Sequence, residues 1–71
     1  MSEAKELGTA AFKRGDYAEA VEQYTRAAEA DATDHVVFSN RSAAYAKLEK
    51  YKEALMDANK CIDIKPDWPR G

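Results

Sequence analysis

Apolar and small residues recur along this chain at the spacing of helix faces. In the second of four segments Ala20, Val21, Tyr24, Ala27 and Ala28 follow i, i+1, i+4, i+7, i+8, the stripe that one side of an α-helix turns toward a core. Ala54, Leu55, Ala58, Cys61 and Ile62 repeat it in the fourth. The first segment has a thinner stripe, Ala4, Leu7, Gly8 and Ala11, and the third has Phe38, Ser42 and Tyr45 at the equivalent spacing. Turn-forming stretches separate the stripes: "RGD" at 14–16, "DATD" at 31–34, "LEK" at 48–50 and "KPDWP" at 65–69. Asp16 is placed to accept the free amides that open the second helix, with Glu19 as the other half of a capping box. Pro66 cannot continue the fourth helix and biases Lys65 away from it. The pattern predicts an all-α chain of four antiparallel helices.

The two halves of the pattern are versions of one another. An offset of 34 pairs Ala10 with Ala44, Lys13 with Lys47, Tyr17 with Tyr51, Glu19 with Glu53 and Ala20 with Ala54, while Val21 with Leu55 and Arg26 with Lys60 are conservative pairs. That offset between helix-turn-helix units is the tetratricopeptide period. The fold expected is therefore a right-handed solenoid fragment of two such hairpins, residues 1–34 and 35–68, with 69–71 beginning a third. Gly8 and Ala20 would let the helices of a hairpin approach, Ala27 or Cys61 would let the next helix pack, and Tyr17 and Tyr51 would fill the seam. Such units bury their faces against neighbours and generally need three or more. The chain reads as a fragment of a longer protein, or as one whose last helix, with Leu55, Ala58 and Ile62, finds a partner.

Composition narrows the classes of function. With 13 acidic residues against 11 basic ones and a net charge of −2, the chain lacks the basic excess of a nucleic-acid binder, and its lysines and arginines are spread over all four helices. One cysteine excludes an intrachain disulfide framework, and no apolar run approaches the roughly 18 residues of a membrane span, so a cytoplasmic address is expected. Cys61, at a small-residue packing position, reads as a buried inert thiol. His35 has no second His, and no metal or cofactor is expected. Ser39, His35 and Asp34 lack the nucleophile elbow that would make them a catalytic set, so the chain reads as a non-enzyme. Trp68 is expected to pack over the hairpin end, and Arg41 to run its stem along the hairpin with its head in water.

In stacked hairpins the first helix of each pair lines the concave surface. The inward positions are then Lys5, Thr9, Phe12 and Lys13 in the first segment, Ser39, Asn40, Ala43, Ala46 and Lys47 in the third, and Arg70 at the start of a fifth. Basic and amide donors converge there on small and aromatic residues, which suits a peptide bearing a carboxylate and an apolar side chain.

The stretches "ELGTAAFKRGDYAEAVEQYTRAAEAD" and "HVVFSNRSAAYAKLEKYKEALMDANKCIDIKPDWPRG" resemble the N-terminal tetratricopeptide domain of the Hop/Sti co-chaperones, and "SNRSAAYAKL" with "CIDIKPDWPRG" carries most of the specificity. The resemblance covers essentially the whole chain. It implies an interaction module that grips the C-terminal Glu-Glu-Val-Asp of a seventy-class heat-shock chaperone, with a ninety-class chaperone as the alternative, through a two-carboxylate clamp. It puts clamp residues at Lys5, Asn40 and Arg70, and pocket residues at Phe12, Ala43, Ala46 and Lys47. Thr9 stands where the family has an Asn, and the last clamp Arg would fall just beyond Gly71. Both departures predict weakened tail binding. The rival reading from a different class is a self-associating scaffold, a homodimer formed by exchanging hairpins across the "DATD" turn.

Overall fold

The chain turns where its breakers stand. A computed structural model describes residues 3–64 as four helices: α1 Glu3–Lys13, α2 Tyr17–Ala30, α3 His35–Lys47 and α4 Tyr51–Ile64. Connections of three or four residues make consecutive helices run antiparallel, and all described secondary structure is helical. Pro66, Trp68 and Arg70 lie outside the described residues.

Two of the turns are built alike. After α1, Gly15 N donates to the Phe12 carbonyl and Asp16 N to that of Ala11, the paired bonds of a Schellman cap around a left-handed residue. After α3 the same pair recurs, Glu49 N to Ala46 and Lys50 N to Tyr45, with Glu49 in the left-handed position. Asp16 caps α2 as expected, its carboxylate accepting from Glu19 N at 3.2 Å. The reciprocal half of the box does not form. The Asp16 amide is already spent on Ala11, and the Glu19 carboxylate accepts from Gln23 Nε2 at 2.8 Å instead.

The main core is made by α1, α2 and α3: Ala11, Ala20, Tyr24, Ala27, Val37 and Ala44 are buried together. At Gly8 the α1 backbone packs tightly against α2, since a Cβ there would lie 2.8 Å from the Tyr24 ring. On the other side α3 packs against α4, while α2 and α4 do not approach each other. Lying between neighbours, α3 buries Val37 and Ala44 in addition to Phe38, whereas the one-face stripe proposed for it left Ser42 and Tyr45 only half-buried. Ser42 serves the α3–α4 contact through its hydroxyl, which donates to the Ala54 carbonyl at 2.7 Å.

Two expected core positions lie on the surface instead. Leu7 is 47% exposed, and Tyr51 is 65% exposed rather than filling a seam. The two tyrosines differ because their partners do. Tyr17 packs edge-on against Phe12 with centroids 5.1 Å apart, and the residue 34 places after Phe12 is Ala46, which has no ring to offer Tyr51. Leu55 and Ile62 are exposed on α4, as a helix face without a neighbour requires, while Cys61 is buried.

Arg41 overturns the expectation of a solvated head. Its guanidinium is held by Asp57, a buried carboxylate on α4, through Nε and Nη2 at 2.7 Å each. Nη1 reaches Thr25 on α2 at 3.1 Å, and the group lies over the rings of Phe38 and Tyr45. The helix stripes do not mark this contact, because Arg41 and Asp57 lie on different helices, 16 residues apart in the chain.

Candidate functional site

A pocket of about 140 Å³ opens between α1 and α3, lined by Thr9, Phe12 and Lys13 from one helix and Asn40 and Ala43 from the other, with Tyr24 of α2 as its floor. The spacing explains the convergence. Thr9, Phe12 and Lys13 lie at i, i+3, i+4 on α1, and Asn40 and Ala43 lie at i, i+3 on α3, so each set shares a face.

The pocket's polar groups fall into spent and available sets. Thr9 Oγ1 donates to the Lys5 carbonyl at 3.1 Å and lies 2.9 Å from Tyr24 Oη. With the Thr9 proton on that carbonyl, the Tyr24 hydroxyl donates to Thr9, and neither group has a proton left for a ligand. The Asn40 amide, by contrast, has no hydrogen-bond partner among the described residues and is half-buried at the pocket wall. Lys13 and Lys47 are exposed, without a carboxylate partner among the described residues.

Lys5 sits one turn before Thr9, and its ammonium meets Asp34 Oδ2 at 3.0 Å. Asp34 is the N-cap of α3, its other oxygen accepting from Val36 N at 3.1 Å. Partial burial works against the Asp34 charge. The Lys5 hydrogen bond and charge, with the amides of Val36 and Val37, outweigh it and hold the carboxyl below its ordinary 3.8. Asp31, on the same turn, is also held low, first by the Thr33 hydroxyl and then by the Thr33 amide, with Lys5 adding a smaller pull.

Of the residues proposed from the sequence, Thr9, Phe12, Asn40 and Ala43 are brought together around the pocket. Ala46 and Lys47 lie further along α3 and do not line it, Lys5 is engaged beside it with Asp34, and Arg70 lies outside the described residues. Tyr24 and Asp34 were missed. Tyr24 reads as core, and is core at 1% exposure, but it also lines the pocket. Asp34 reads only as part of the "DATD" turn and of the Ser39, His35 and Asp34 set that was set aside as non-catalytic. Among the described residues no cluster of His, Cys, Asp and Glu could hold a metal ion, and no helix is long and apolar enough to cross a membrane.

Two descriptions of the tetratricopeptide repeat match the sequence, one over residues 3–34 and one over 37–67. The chain belongs to the tetratricopeptide repeat family. Over 69 residues this tetratricopeptide chain is 54% identical to the Hsp70-Hsp90 organizing protein 2 of Arabidopsis thaliana, and over 70 residues 49% identical to the heat shock protein STI1 of Saccharomyces cerevisiae. Each match takes in 97% of the chain and 12% of the relative, so the chain spans about an eighth of the length of these proteins. Its fold matches the TPR2B domain of yeast Sti1, solved as a complex with pHsp70, with a TM-score of 0.90 and 38% identity over 93% of this chain and 53% of that one.

Proposed function

We propose that this tetratricopeptide chain is a non-enzymatic peptide-binding module of a cytoplasmic co-chaperone, and that its groove holds the acidic C-terminal Glu-Glu-Val-Asp tail of a seventy-class heat-shock chaperone by a carboxylate clamp. The observation that carries the reading is the pocket shared by α1 and α3, where the Asn40 amide, without a hydrogen-bond partner among the described residues, stands beside the apolar wall of Phe12 and Ala43. The likeness to Hop/Sti1 proteins and to a TPR2B domain in complex with pHsp70 supports it. In this reading Asn40 donates to the terminal carboxylate and Phe12 and Ala43 receive the valine. Lys5, Lys13 and Lys47 surround the acidic residues with positive charge, Ala46 extends the wall, and Arg70 joins the clamp. Thr9 contributes shape rather than a donor, because its proton is taken by the Lys5 carbonyl.

Calorimetric titration with a peptide ending in Glu-Glu-Val-Asp, beside the same peptide amidated at its C-terminus, tests the proposal. Binding should disappear on amidation. Removing one charge-assisted hydrogen bond by Asn40→Ala costs about 1.5–3 kcal/mol, or roughly tenfold to a hundredfold in affinity. Equal binding of the two peptides would sink the clamp. Peptides from a ninety-class tail, differing upstream of the shared end, measure which chaperone is preferred.

A second reading, self-association, is favoured by the exposed stripe Tyr51, Leu55 and Ile62 on α4. Light scattering coupled to size exclusion decides it, since a monomer over a wide concentration range would rule out stable pairing.

A further inference from the structure

We propose that Asp34 is a built-in competitor for the ligand's carboxylate at Lys5, a proposal that rests on Lys5 belonging to the clamp. The contact is fixed by the fold. One oxygen of Asp34 meets the Lys5 ammonium at 3.0 Å, while the other caps α3 through Val36 N. The carboxylate cannot swing away from Lys5 freely, because it would leave the first amides of α3 without their acceptor. Asp31 stands on the same turn, its carboxylate fixed by the Thr33 amide and hydroxyl at 3.0 and 2.6 Å, and it also feels the Lys5 charge. The α2–α3 turn thus presents two anchored carboxylates to the cation that an incoming carboxylate must reach. Lys5 is reachable, with 35% of its side chain exposed.

A bound tail must therefore displace Asp34 or share Lys5 with it at close range. Both lower the affinity, the first by the lost ion pair and the second by repulsion between like charges. The turn then acts as an affinity governor, favouring release of the ligand without altering the pocket that recognises it. A ligand whose carboxylate is replaced by a neutral group does not compete with Asp34 at all.

The substitution that isolates the charge is Asp34→Asn, because Asn caps a helix start about as well as Asp. Calorimetric titration of the intact chain and of D34N with the Glu-Glu-Val-Asp peptide and its amidated form is the experiment, repeated in a Lys5→Met background. Removing the competitor should tighten binding of the free-carboxylate peptide about threefold to fivefold, the range of a part-exposed ion pair. The gain should shrink when Lys5 is Met, and helix content by circular dichroism should be unchanged. Carboxylate-dependent binding that D34N leaves unchanged or weakens would overturn the competitor role and leave the groove reading standing, a weaker complex meaning that Asp34 orients Lys5 for the ligand. A gain of the same size without Lys5 would also overturn it. Binding by neither protein in a carboxylate-dependent way would remove the groove reading and this inference together.

Discussion

Arg41 and Asp57 form a two-pronged ion pair that joins α3 to α4, both nitrogen–oxygen distances being 2.7 Å. The Thr25 hydroxyl ties the same guanidinium to α2, so one side chain links helices that otherwise do not approach each other. With side chains only 17% and 8% exposed, the pair is largely removed from water, and Asp57 holds the Arg41 pKa above its ordinary value. Breaking a buried pair from one side leaves an uncompensated charge. Asp57→Ala should destabilise the chain by about 3 kcal/mol in urea unfolding, and replacing both residues by apolar side chains of similar size should cost much less. Equal losses in the two variants would show that shape, not charge, matters here.

Gly8 faces the buried Tyr24 ring across the α1–α2 seam. Alanine at that position gains about 1 kcal/mol in helix propensity, but its Cβ would lie 2.8 Å from two ring carbons of a side chain that is 1% exposed. Overpacking of this kind costs about 1–3 kcal/mol, so the clash should outweigh the gain. A lower urea midpoint for Gly8→Ala is the expected result, and loss of peptide binding should accompany it because Tyr24 floors the pocket.

Glu49 occupies the place in the second turn that Gly15 holds in the first, and both have positive φ, 64° and 87°. A side chain in the left-handed region costs about 1 kcal/mol that glycine does not pay. Glu49→Gly should therefore raise the unfolding free energy by up to about 1 kcal/mol, with no change in peptide affinity, by chemical denaturation and calorimetry.

Asp34 and Asp31 both have carboxyl pKa values held below their ordinary 3.8. A depressed folded value means that the charged form is favoured in the native state, so the contribution is complete well above the unfolded value. It is lost as pH falls through the folded one. The Tm should hold steady from neutrality down to about pH 5 and fall below about pH 4, the ordinary carboxylate range. D34N should flatten part of that fall. An identical acid limb in both proteins would mean that other carboxylates dominate it.

Much of this architecture was legible in the residues themselves. Stripes, breakers and the offset of 34 marked the four helices and the two repeats, because helix periodicity and turn chemistry are local and leave their trace in sequence spacing. Four pocket residues, Thr9, Phe12, Asn40 and Ala43, followed from placing the first helix of each hairpin on the inner surface. What the spacing could not carry were contacts between residues far apart in the chain. The partner that decides each case is on another helix: Asp57 for Arg41, Phe12 for Tyr17 with no counterpart for Tyr51, and Asp34 for Lys5. A helix stripe says which side faces inward, but packing in three dimensions chooses what it meets there. Only that choice turned Arg41 from a solvated surface residue into a buried tie, spent the Thr9 hydroxyl inside the fold, and left the Asn40 amide open to the groove.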